Sequence, residues 1–495
     1  MRNRKSRRNR SRNRIARRDF RGSNPPMSTV TGGTKVISLY QSQEKIYAKS
    51  VVGRFANVRV FMVFFTQAIF YGLPWLPWNG RQAVLFDLNA RKFYIFDWVF
   101  WPQDVLYLTF ILIVSAYALF FVTAIAGRVF CGYACPQTVY TEIFMWIEEK
   151  FEGDRAARIK LDQSPMSASK LWRKGGKHFF WVLIGLWTGF TFVGYFTPIH
   201  TLWNEVLTLS TGPWETFWIF FYAFATWGNA GFMREQVCKY MCPYARFQSV
   251  MFDRDTMIVT YDQARGEPRG GRKKSADPVA LKSLNLGSCV DCSLCVQVCP
   301  TGIDIREGLQ YECIGCSACI DVCDTVMDKM NYPRGLIRYS TENALEKNWG
   351  VAAIRKHMLR PRILVYFGVL VVLVGGLAAS LILRNPLKVD VIRDQRVMAR
   401  EVEGRYIENI YKLNVMNTAE RAQSFVVTVE GLPGANINRG GQISAESAST
   451  AASSVAVRIP VDNIKPGSHT IHFKIQSEQD AAISVTEKTV FLVPR

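Results

Sequence analysis

Eight of the twelve cysteines in this chain fall between residues 289 and 323, and they repeat one spacing twice. The two copies read Cys289-x-x-Cys292-x-x-Cys295-x-x-x-Cys299-Pro300 and Cys313-x-x-Cys316-x-x-Cys319-x-x-x-Cys323. Three cysteines spaced by two residues let one loop wrap three corners of a cubic iron–sulfur cluster, and the fourth ligand comes from the other copy. Zinc sites use pairs of cysteines rather than eight in this rhythm. The spacing therefore predicts two [4Fe-4S] clusters in a bacterial-type ferredoxin domain.

Each cluster is expected to take three ligands from one copy and one from the other. Cluster 1 would be held by Cys289, Cys292, Cys295 and Cys323, and cluster 2 by Cys313, Cys316, Cys319 and Cys299. Two clusters held in one small domain lie close together, so electrons can pass between them. The domain is predicted to transfer electrons.

The net charge of +21 is distributed unevenly along the chain. The first 22 residues hold ten Arg, one Lys and one Asp and contain no apolar stretch, so they are not a secretory signal. We expect a basic, disordered tail over residues 1–57; a contact with anionic lipid or nucleic acid is the alternative, and a nucleic-acid partner is not expected. Met27 follows Asn24-Pro25-Pro26 and is an alternative initiator, which leaves open whether residues 1–26 belong to the native protein.

Five stretches without charged side chains are long enough to cross a bilayer as helices. They are Val60–Gly80, Val105–Gly127, Phe179–Pro198, Thr216–Met233 and Ile363–Leu383. Nine Lys and Arg residues follow the second stretch up to residue 177, whereas residues 199–215 contain none. The positive-inside rule then predicts a multi-pass protein of the bacterial inner membrane, in contact with its lipid, with a cytoplasmic N-terminus and a periplasmic C-terminal domain. The absence of cysteine after residue 383 agrees with export of that domain.

A repeat appears once the spans are marked. The second span ends in Cys131-Gly-Tyr133-Ala-Cys135-Pro136, and the fourth ends in Cys238-Lys-Tyr240-Met-Cys242-Pro243. Proline suits the first turn of a helix, so each second cysteine is expected at a helix N-cap, where amide groups lower a thiol pKa. The repeat predicts that four thiols, those of Cys131, Cys135, Cys238 and Cys242, meet at the inner membrane face.

Three roles remain open for these four thiols. They could pack as small apolar groups, exchange as dithiol and disulfide, or bind a soft metal ion, above all Cu(I). The copper interpretation is favoured because thiolate ligands select Cu(I). The four cysteines are thus the candidate catalytic and copper-binding residues.

The remaining segments complete a multi-domain membrane protein. Short runs rich in Val, Ile, Tyr and Phe after residue 405 predict an immunoglobulin-like β-sandwich. The predicted domains are a tail (1–57), a four-helix transmembrane repeat domain (58–260), a basic linker (261–284), the ferredoxin domain (285–330), a cytoplasmic connector (331–362), a fifth transmembrane helix (363–384) and a periplasmic sandwich (385–495).

This combination resembles the cytochrome c oxidase accessory proteins called CcoG, FixG or RdxA, which are related to membrane polyferredoxins such as NapH. The resemblance rests on the two Cys-x-x-x-Cys-Pro loops after paired spans, the eight-cysteine domain, the last span and the C-terminal sandwich. It covers nearly all of the chain after the basic tail. NapH-like proteins are similar only as far as the clusters, so the sandwich favours the accessory proteins.

The resemblance implies an oxidoreductase that converts Cu(II) to Cu(I) for assembly of a cbb3-type cytochrome c oxidase. Oxidase subunits or their copper chaperones would be partners, and a cytoplasmic protein of unknown identity would supply electrons. Carried over to this chain, the copper-handling residues are Cys131, Cys135, Cys238 and Cys242. The alternatives are a quinol-coupled electron carrier similar to NapH and a non-catalytic oxidase assembly factor.

Overall fold

The computed structural model describes residues 45–272, 286–393 and 399–494. The expected tail up to residue 44 and linker residues 273–284 lie outside this range. The helices are α1 (Arg54–Gly72), α2 (Val105–Ala126), α3 (Val129–Tyr133), α4 (Pro136–Glu152), α5 (Arg155–Gln163), α6 (Ala168–Val193), α7 (Ile199–Leu207), α8 (Pro213–Gly228), α9 (Pro243–Met251), α10 (Gln263–Gly266), α11 (Leu294–Gln297), α12 (Ala318–Lys329), α13 (Glu342–Glu346), α14 (Val351–Met358) and α15 (Pro361–Ile382).

The strands occur in four places along the chain. They are β1 (Pro77–Trp78), β2 (Arg81–Gln82), β3 (Val84–Asp87), β4 (Lys92–Ile95), β5 (Trp98–Phe100), β6 (Ile258–Tyr261), β7 (Ile337–Ser340), β8 (Leu387–Arg393), β9 (Arg400–Val402), β10 (Tyr406–Asn417), β11 (Gln423–Glu430), β12 (Asn436–Arg439), β13 (Gln442–Ala445), β14 (Thr450–Pro460), β15 (Gly467–Ser477) and β16 (Ser484–Val493).

Three of the five predicted membrane spans coincide with helices that are long and apolar enough to cross a bilayer. In the described part of the chain, the helices long and apolar enough to cross a bilayer are the three at Arg54–Trp75, Pro102–Ala126 and Pro361–Ile382. The third and fourth predicted spans are also helical, in α6 and α8. However, α8 has only 16 residues before the backbone changes to a π-helical turn, and the first ten residues of α6 carry four Lys or Arg side chains.

Helices α6 and α8 pack closely because two glycines leave room for the neighbouring backbone. A Cβ on Gly185 would lie 2.8 Å from the carbonyl oxygen of Ala223, and one on Gly189 would collide with the carbonyl of Ile219. Small residues four apart are the usual means by which apolar helices approach each other. The close contact fixes α8, and with it the loop that carries Cys238.

Residues 77–100 form two small sheets, β1–β2 and β3–β4–β5, and the first sheet begins inside Val60–Gly80, which was predicted to be a membrane span. These strands contact the C-terminal domain: the ammonium group of Lys92 donates to the carbonyl of Ala448 at 2.8 Å, and Arg81 pairs with Glu420. Asp104 at the start of α2 accepts a hydrogen bond from Arg384 at 2.6 Å. The first connecting loop and the C-terminal domain therefore lie at the same end of the apolar helices.

The C-terminal domain is a sandwich of two antiparallel sheets, as predicted. One sheet has the order β12–β14–β10–β8, with β9 also paired to β10, and the other has the order β13–β11–β15–β16. Alternate side chains point inward, and Tyr411, Phe425, Phe473 and Phe491 are fully buried between the sheets. Strands β8 and β9 begin before residue 405, where the predicted strand region starts, and the polar strands β12 and β13 lack the apolar runs on which the prediction rested.

The ferredoxin domain is joined to the other end of the helices. Strands β6 and β7 pair on either side of it, from Ile258 opposite Ser340 to Tyr261 opposite Ile337. The carboxylate of Asp321, in α12, accepts hydrogen bonds from the backbone amides of Phe55 and Ala56 at 3.2 and 2.7 Å. Asp321 thereby caps the N-terminus of α1, whose own first turn has no acidic side chain.

Candidate functional site

The eight cysteines of the ferredoxin domain separate into two sets that line two neighbouring cavities. Cys289, Cys292, Cys295 and Cys323 line the first cavity. Cys299, Cys313, Cys316 and Cys319 line the second, to which Cys295 also contributes from the shared wall. The structure thus brings together the two sets that the spacing pairs, including the exchange of the fourth cysteine between copies.

The two cysteine loops have the same backbone conformation. The residues on either side of the second cysteine have positive φ in both copies: Asp291 (52°) and Ser293 (55°) in the first, Gly315 (68°) and Ser317 (61°) in the second. Each of these serines then begins a helix, α11 or α12, on which the third cysteine lies. Residues other than glycine rarely adopt positive φ, so its recurrence at matched positions indicates one geometry used twice.

The donor sets fit cubic iron–sulfur clusters. The first cavity presents four sulfur atoms and the second presents its own four beside that of Cys295, and neither is lined by a histidine or a carboxylate. Burial raises the pKa of the Cys313 and Cys323 thiols to about 12, so iron would have to displace their protons on binding. Arginine side chains approach cluster 2: Arg59 donates to the carbonyl of Cys316 and Arg128 to that of Cys313, both at 3.4 Å.

The other four cysteines lie together at the ends of the helices that face the ferredoxin domain. Cys135 is the N-cap of α4 and Cys242 the N-cap of α9, each followed by proline at the first helical position. Burial and the neighbouring thiols of Cys135 and Cys238 raise the pKa of Cys131 to about 12. Burial also raises the pKa of Cys135, and the neighbouring thiol of Cys242 adds to this rise. The repeat therefore assembles one group of four thiols.

The expectation that a helix end makes Cys135 a ready thiolate is wrong for the free thiol. The amides of Gln137 and Thr138 lower its pKa, but burial raises it by more. The two loops also differ in shape, because Cys131 lies in the α-helical turn α3, whereas Cys238 lies in the π-helical turn Val237–Met241. The two copies of the repeat therefore differ in backbone conformation although their sequences are similar.

The four thiols do not form a ready-made site for one ion. Over the described ranges, no three His, Cys, Asp or Glu side chains converge closely enough to hold a single metal ion. This does not bear on the clusters, because each thiolate of an iron–sulfur cube binds a different iron. A copper ion held by Cys131, Cys135, Cys238 and Cys242 would require these side chains to move toward one another.

The four-cysteine group is in direct contact with the loop that carries cluster 2. Cys131 and Cys238 pack against the buried cluster formed by Val298, Ile314, Cys316 and Ala318. Gly132 lies against the backbone of the same loop, where a Cβ would come within 2.8 Å of the carbonyl oxygen of Gly315. Cluster 2, rather than cluster 1, is therefore the one next to the helix ends.

A small cavity of about 40 Å³ opens between Cys238 and Cys316. Its wall includes the thioether of Met145 and the carboxylates of Glu142 and Glu235, with Arg59 and Arg234 on other sides. Sulfur and carboxylate donors of this kind can receive a metal cation. The cavity therefore lies at the contact between the two cysteine groups.

A buried ionic network holds the second cysteine loop, and sequence analysis did not identify it. Glu148 is 1% exposed and pairs with Arg158 and Arg234, both at 2.9 Å, and with Lys177 at 3.4 Å. These cations lower the pKa of Glu148 to about 2. Arg234 precedes Cys238 by four residues, so the network orients that loop.

Arg59 and Asp321 are further functional residues that sequence analysis missed. Arg59 is 7% exposed and lies in α1, where it reaches the carbonyl of Cys316 and faces Glu142 at 3.7 Å. An arginine directly before an apolar stretch is a signal that could have been noticed in the sequence. The contact of Asp321 with α1 joins residues about 265 positions apart and leaves no local pattern.

Family models match three parts of the chain. A 4Fe-4S dicluster domain matches residues 233–342, and a 4Fe-4S binding domain matches residues 108–152, which include Cys131 and Cys135. The immunoglobulin-like fold at the C-terminus of FixG matches residues 377–494. The ferredoxin and sandwich predictions are confirmed by these matches.

Curated relatives cover most of the chain. The nitrogen fixation protein FixG of Rhizobium meliloti is 37% identical over 435 residues, which are 82% of this chain and 82% of that protein. Two proteins of Cereibacter sphaeroides are similar over 80% of this chain and 84% of their own length: RdxB at 38% identity and RdxA at 36%.

Proposed function

Because this chain belongs to the family of FixG, RdxA and RdxB and its 4Fe-4S dicluster domain suits electron transfer, we propose that it is a cupric reductase. Cys299, Cys313, Cys316 and Cys319 would hold cluster 2, which would supply single electrons. Cys131, Cys135, Cys238 and Cys242 would hold copper while Cu(II) is reduced to Cu(I). The observation that carries it is the contact of Cys131, Cys238 and Gly132 with the loop of Cys316.

When bound, the two clusters supply carriers of single electrons, which suits a one-electron change of metal. The positions of the cysteines determine the order in which electrons would pass from one site to the next. Cys295 borders both cluster cavities, and the loop of Cys316 borders both the cavity of cluster 2 and the opening beside Cys238. One electron passing along this path converts one Cu(II) to one Cu(I), without transfer of a proton or an atom.

The four thiols favour the product over the reactant, because soft sulfur ligands stabilise Cu(I) relative to Cu(II). The absence of a preformed single-ion site among the described residues is compatible with this role. Copper is a substrate here: it arrives, is reduced and leaves. Thioether and carboxylate groups of Met145 and Glu235 at the small cavity provide weaker ligands for arrival.

The arrangement at the two ends of the apolar helices supports a place in a bacterial inner membrane. In the proposal the ferredoxin end, with its many Lys and Arg side chains, lies in the cytoplasm, and the C-terminal sandwich lies in the periplasm. The sandwich would contact subunits of a cbb3-type oxidase or their copper chaperones, for which the copper is reduced.

A double variant that replaces two of the four thiols tests the proposal. Cys135→Ser with Cys242→Ser leaves every cluster ligand in place, so the visible absorbance of the clusters should be unchanged. Dithionite-reduced protein, freed of excess reductant, is mixed with Cu(II) and a Cu(I)-selective chelator without oxygen. The double variant should form Cu(I) at a small fraction of the wild-type rate; an unchanged rate would reject these thiols as the reduction site.

A further inference from the structure

Two arginines of the apolar helices are buried against the ferredoxin loop that carries Cys313 and Cys316. Arg59 lies in α1 and Arg128 lies between α2 and α3, and they are 7% and 6% exposed. Arg59 donates to the carbonyl of Cys316 and Arg128 to that of Cys313, both at 3.4 Å. Arg59 and Cys316 also line the same small cavity. Both positive charges therefore reach the ferredoxin domain from outside it.

Arg128 is buried without a carboxylate partner among the described residues. Its guanidinium donates to three backbone carbonyls, those of Tyr311, Cys313 and Ala245, and its Nε atom has no hydrogen-bond partner. Burial of a cation without a counter-ion is costly. A cubic iron–sulfur cluster with four thiolate ligands has a net negative charge, so cluster 2 would be the counter-ion that Arg128 lacks.

The charge of Arg59 is opposed in part by Glu142. The carboxylate of Glu142 lies 3.7 Å from the guanidinium and accepts a hydrogen bond from the indole of Trp146 at 3.2 Å. The other buried acid at this junction, Asp321, accepts from the two amides at the start of α1. Arg59 and Glu142 thus place charges of opposite sign at one edge of the loop of Cys316.

The arginines that reach the loop of cluster 1 have a different origin. Arg306 lines its cavity and is paired with Asp304 and Asp291, both at 2.7 Å. Arg272 donates to the carbonyl of Cys289 at 2.6 Å. These residues belong to the ferredoxin domain and to the segment that leads into it. A change of charge at Arg59 or Arg128 should therefore act on cluster 2 and spare cluster 1.

The positions of these charges bear on the reduction potential of each cluster. Reduction of a [4Fe-4S] cluster adds one negative charge, which burial disfavours and a nearby cation favours. Cys316 of cluster 2 is 8% exposed, whereas Cys292 of cluster 1 is open to solvent. Burial alone would make cluster 2 the harder of the two to reduce, and the arginines oppose this effect.

We propose that Arg59 and Arg128 raise the reduction potential of cluster 2, so that charges on the apolar helices govern how readily this part of the ferredoxin domain is reduced. The inference concerns the clusters and requires no copper. Its consequence, that an electron is favoured beside the four helix-end thiols, rests on the proposed function. The junction between the helices and the ferredoxin domain thereby has an electrostatic role in addition to a structural one.

A redox titration followed by electron paramagnetic resonance tests this proposal. Full-length protein in detergent is titrated without oxygen or copper, and the signal that is missing in Cys299→Ala is assigned to cluster 2. Arg59→Gln and Arg128→Gln should each make cluster 2 roughly tenfold harder to reduce, a fall of ~59 mV for one electron. The potential of cluster 1 should not change.

Three further variants separate charge from structure. Arg59→Lys keeps the charge and should restore about half or more of the lost potential. Glu142→Gln removes the opposing charge and should raise the potential of cluster 2, whereas a loosened junction would shift it in the same direction as Arg59→Gln. Arg334→Gln is the matched control, because this arginine of the ferredoxin domain has a side chain that is 68% exposed.

Several results would overturn the proposal. They are an unchanged potential of cluster 2 in Arg59→Gln, equal shifts of both clusters, a potential in Arg59→Lys as low as in Arg59→Gln, and a fall in Glu142→Gln. If Arg59→Gln does not retain cluster 2, Glu142→Gln decides the question, because it keeps both arginines and every cysteine.

The closing measurement distinguishes this inference from the proposed function. Cys135→Ser with Cys242→Ser keeps Arg59 and Arg128, so its cluster 2 should have the wild-type potential even though its reduction of Cu(II) is expected to fail. Wild-type rates of copper reduction in that double variant would reject the copper site and leave the potentials unaffected. A cluster 2 potential that is the same in Arg59→Gln and the wild type would contradict the role of the arginines, whatever the result with copper.

Discussion

A Cβ on Gly132 would lie 2.9 Å from the backbone nitrogen of Cys316, closer than such atoms normally approach. This contact brings the helix ends and the loop of cluster 2 together with no side chain between them. Only glycine at position 132 permits it. This close contact between the two cysteine groups therefore depends on the absence of a Cβ at residue 132.

Gly132→Ala should separate the two loops. Because the atoms it would meet belong to backbone, they cannot move aside cheaply, and we expect a loss of ~1–3 kcal/mol in stability together with slower electron transfer to copper. Gly175→Ala is the control, since a Cβ there meets no atom within 4 Å. Thermal unfolding and the rate of cluster reoxidation by Cu(II) measure both effects. Unchanged values in Gly132→Ala would show that the contact is not tight.

Double variants test the exchange of cysteines between the two copies. Cys299→Ala and Cys313→Ala should each remove cluster 2, so combining them should lose no more iron than either alone, about half of the total. Combining Cys299→Ala with Cys292→Ala should remove both clusters. Iron analysis and electron paramagnetic resonance of the reduced protein measure this. The reverse pattern would mean that each copy binds its own cluster.

The cysteine pattern could be interpreted from sequence because each cluster site is built mainly from one short loop. Spacing over ten residues fixes where Cys313, Cys316 and Cys319 lie, and the crossed fourth ligand follows from the rule for paired clusters. The sandwich strands with alternating Val and Phe were equally clear. Both features are local, and local patterns survive in the sequence.

Other parts of the site depend on contacts that are distant in sequence. The repeat predicted two equivalent loops, but Arg128 reaches the carbonyls of the ferredoxin domain, whereas Arg234 turns to Glu148 with φ of 41°. The helix-end argument for a low thiol pKa failed at Cys135 because it left out burial. Neither burial nor the divergence of a repeat can be derived from spacing alone.

Asp321→Ala should loosen the junction between the ferredoxin domain and α1. The carboxylate caps two backbone amides at the start of the helix, and such caps contribute ~1–2 kcal/mol. Asp328→Ala, on the same helix but exposed, is the control. The temperature at which the visible absorbance of the clusters disappears should fall for the first variant and not for the second. Equal behaviour of the two would reject the capping role.

Glu148→Gln should destabilise the protein at neutral pH and do so less in acid. The pKa of Glu148 is lowered from 4.5 to about 2, so its ionised form stabilises the fold fully above about pH 5. That contribution, of about 3 kcal/mol at most, is lost progressively as the pH falls from 4.5 toward 2.

The difference in unfolding temperature between the wild type and Glu148→Gln, followed from pH 7 to pH 4, measures this dependence. It should be largest at pH 7 and should narrow toward pH 4. Glu149→Gln replaces the exposed neighbouring carboxylate and serves as the control. A difference that is constant with pH would show that Glu148 is not ionised in the native state.

The central claim is that electrons leave cluster 2 for copper at the four helix-end cysteines, and a single-turnover titration tests it most directly. Fully reduced protein is mixed with increasing Cu(II) without oxygen, while the visible absorbance of the clusters and the Cu(I)-chelator complex are recorded together. We predict that each electron lost from the clusters appears as one Cu(I), and that Cys135→Ser with Cys242→Ser abolishes both signals while retaining the clusters. Clusters that stay reduced in the presence of Cu(II), or that reoxidise equally in the double variant, would contradict the account.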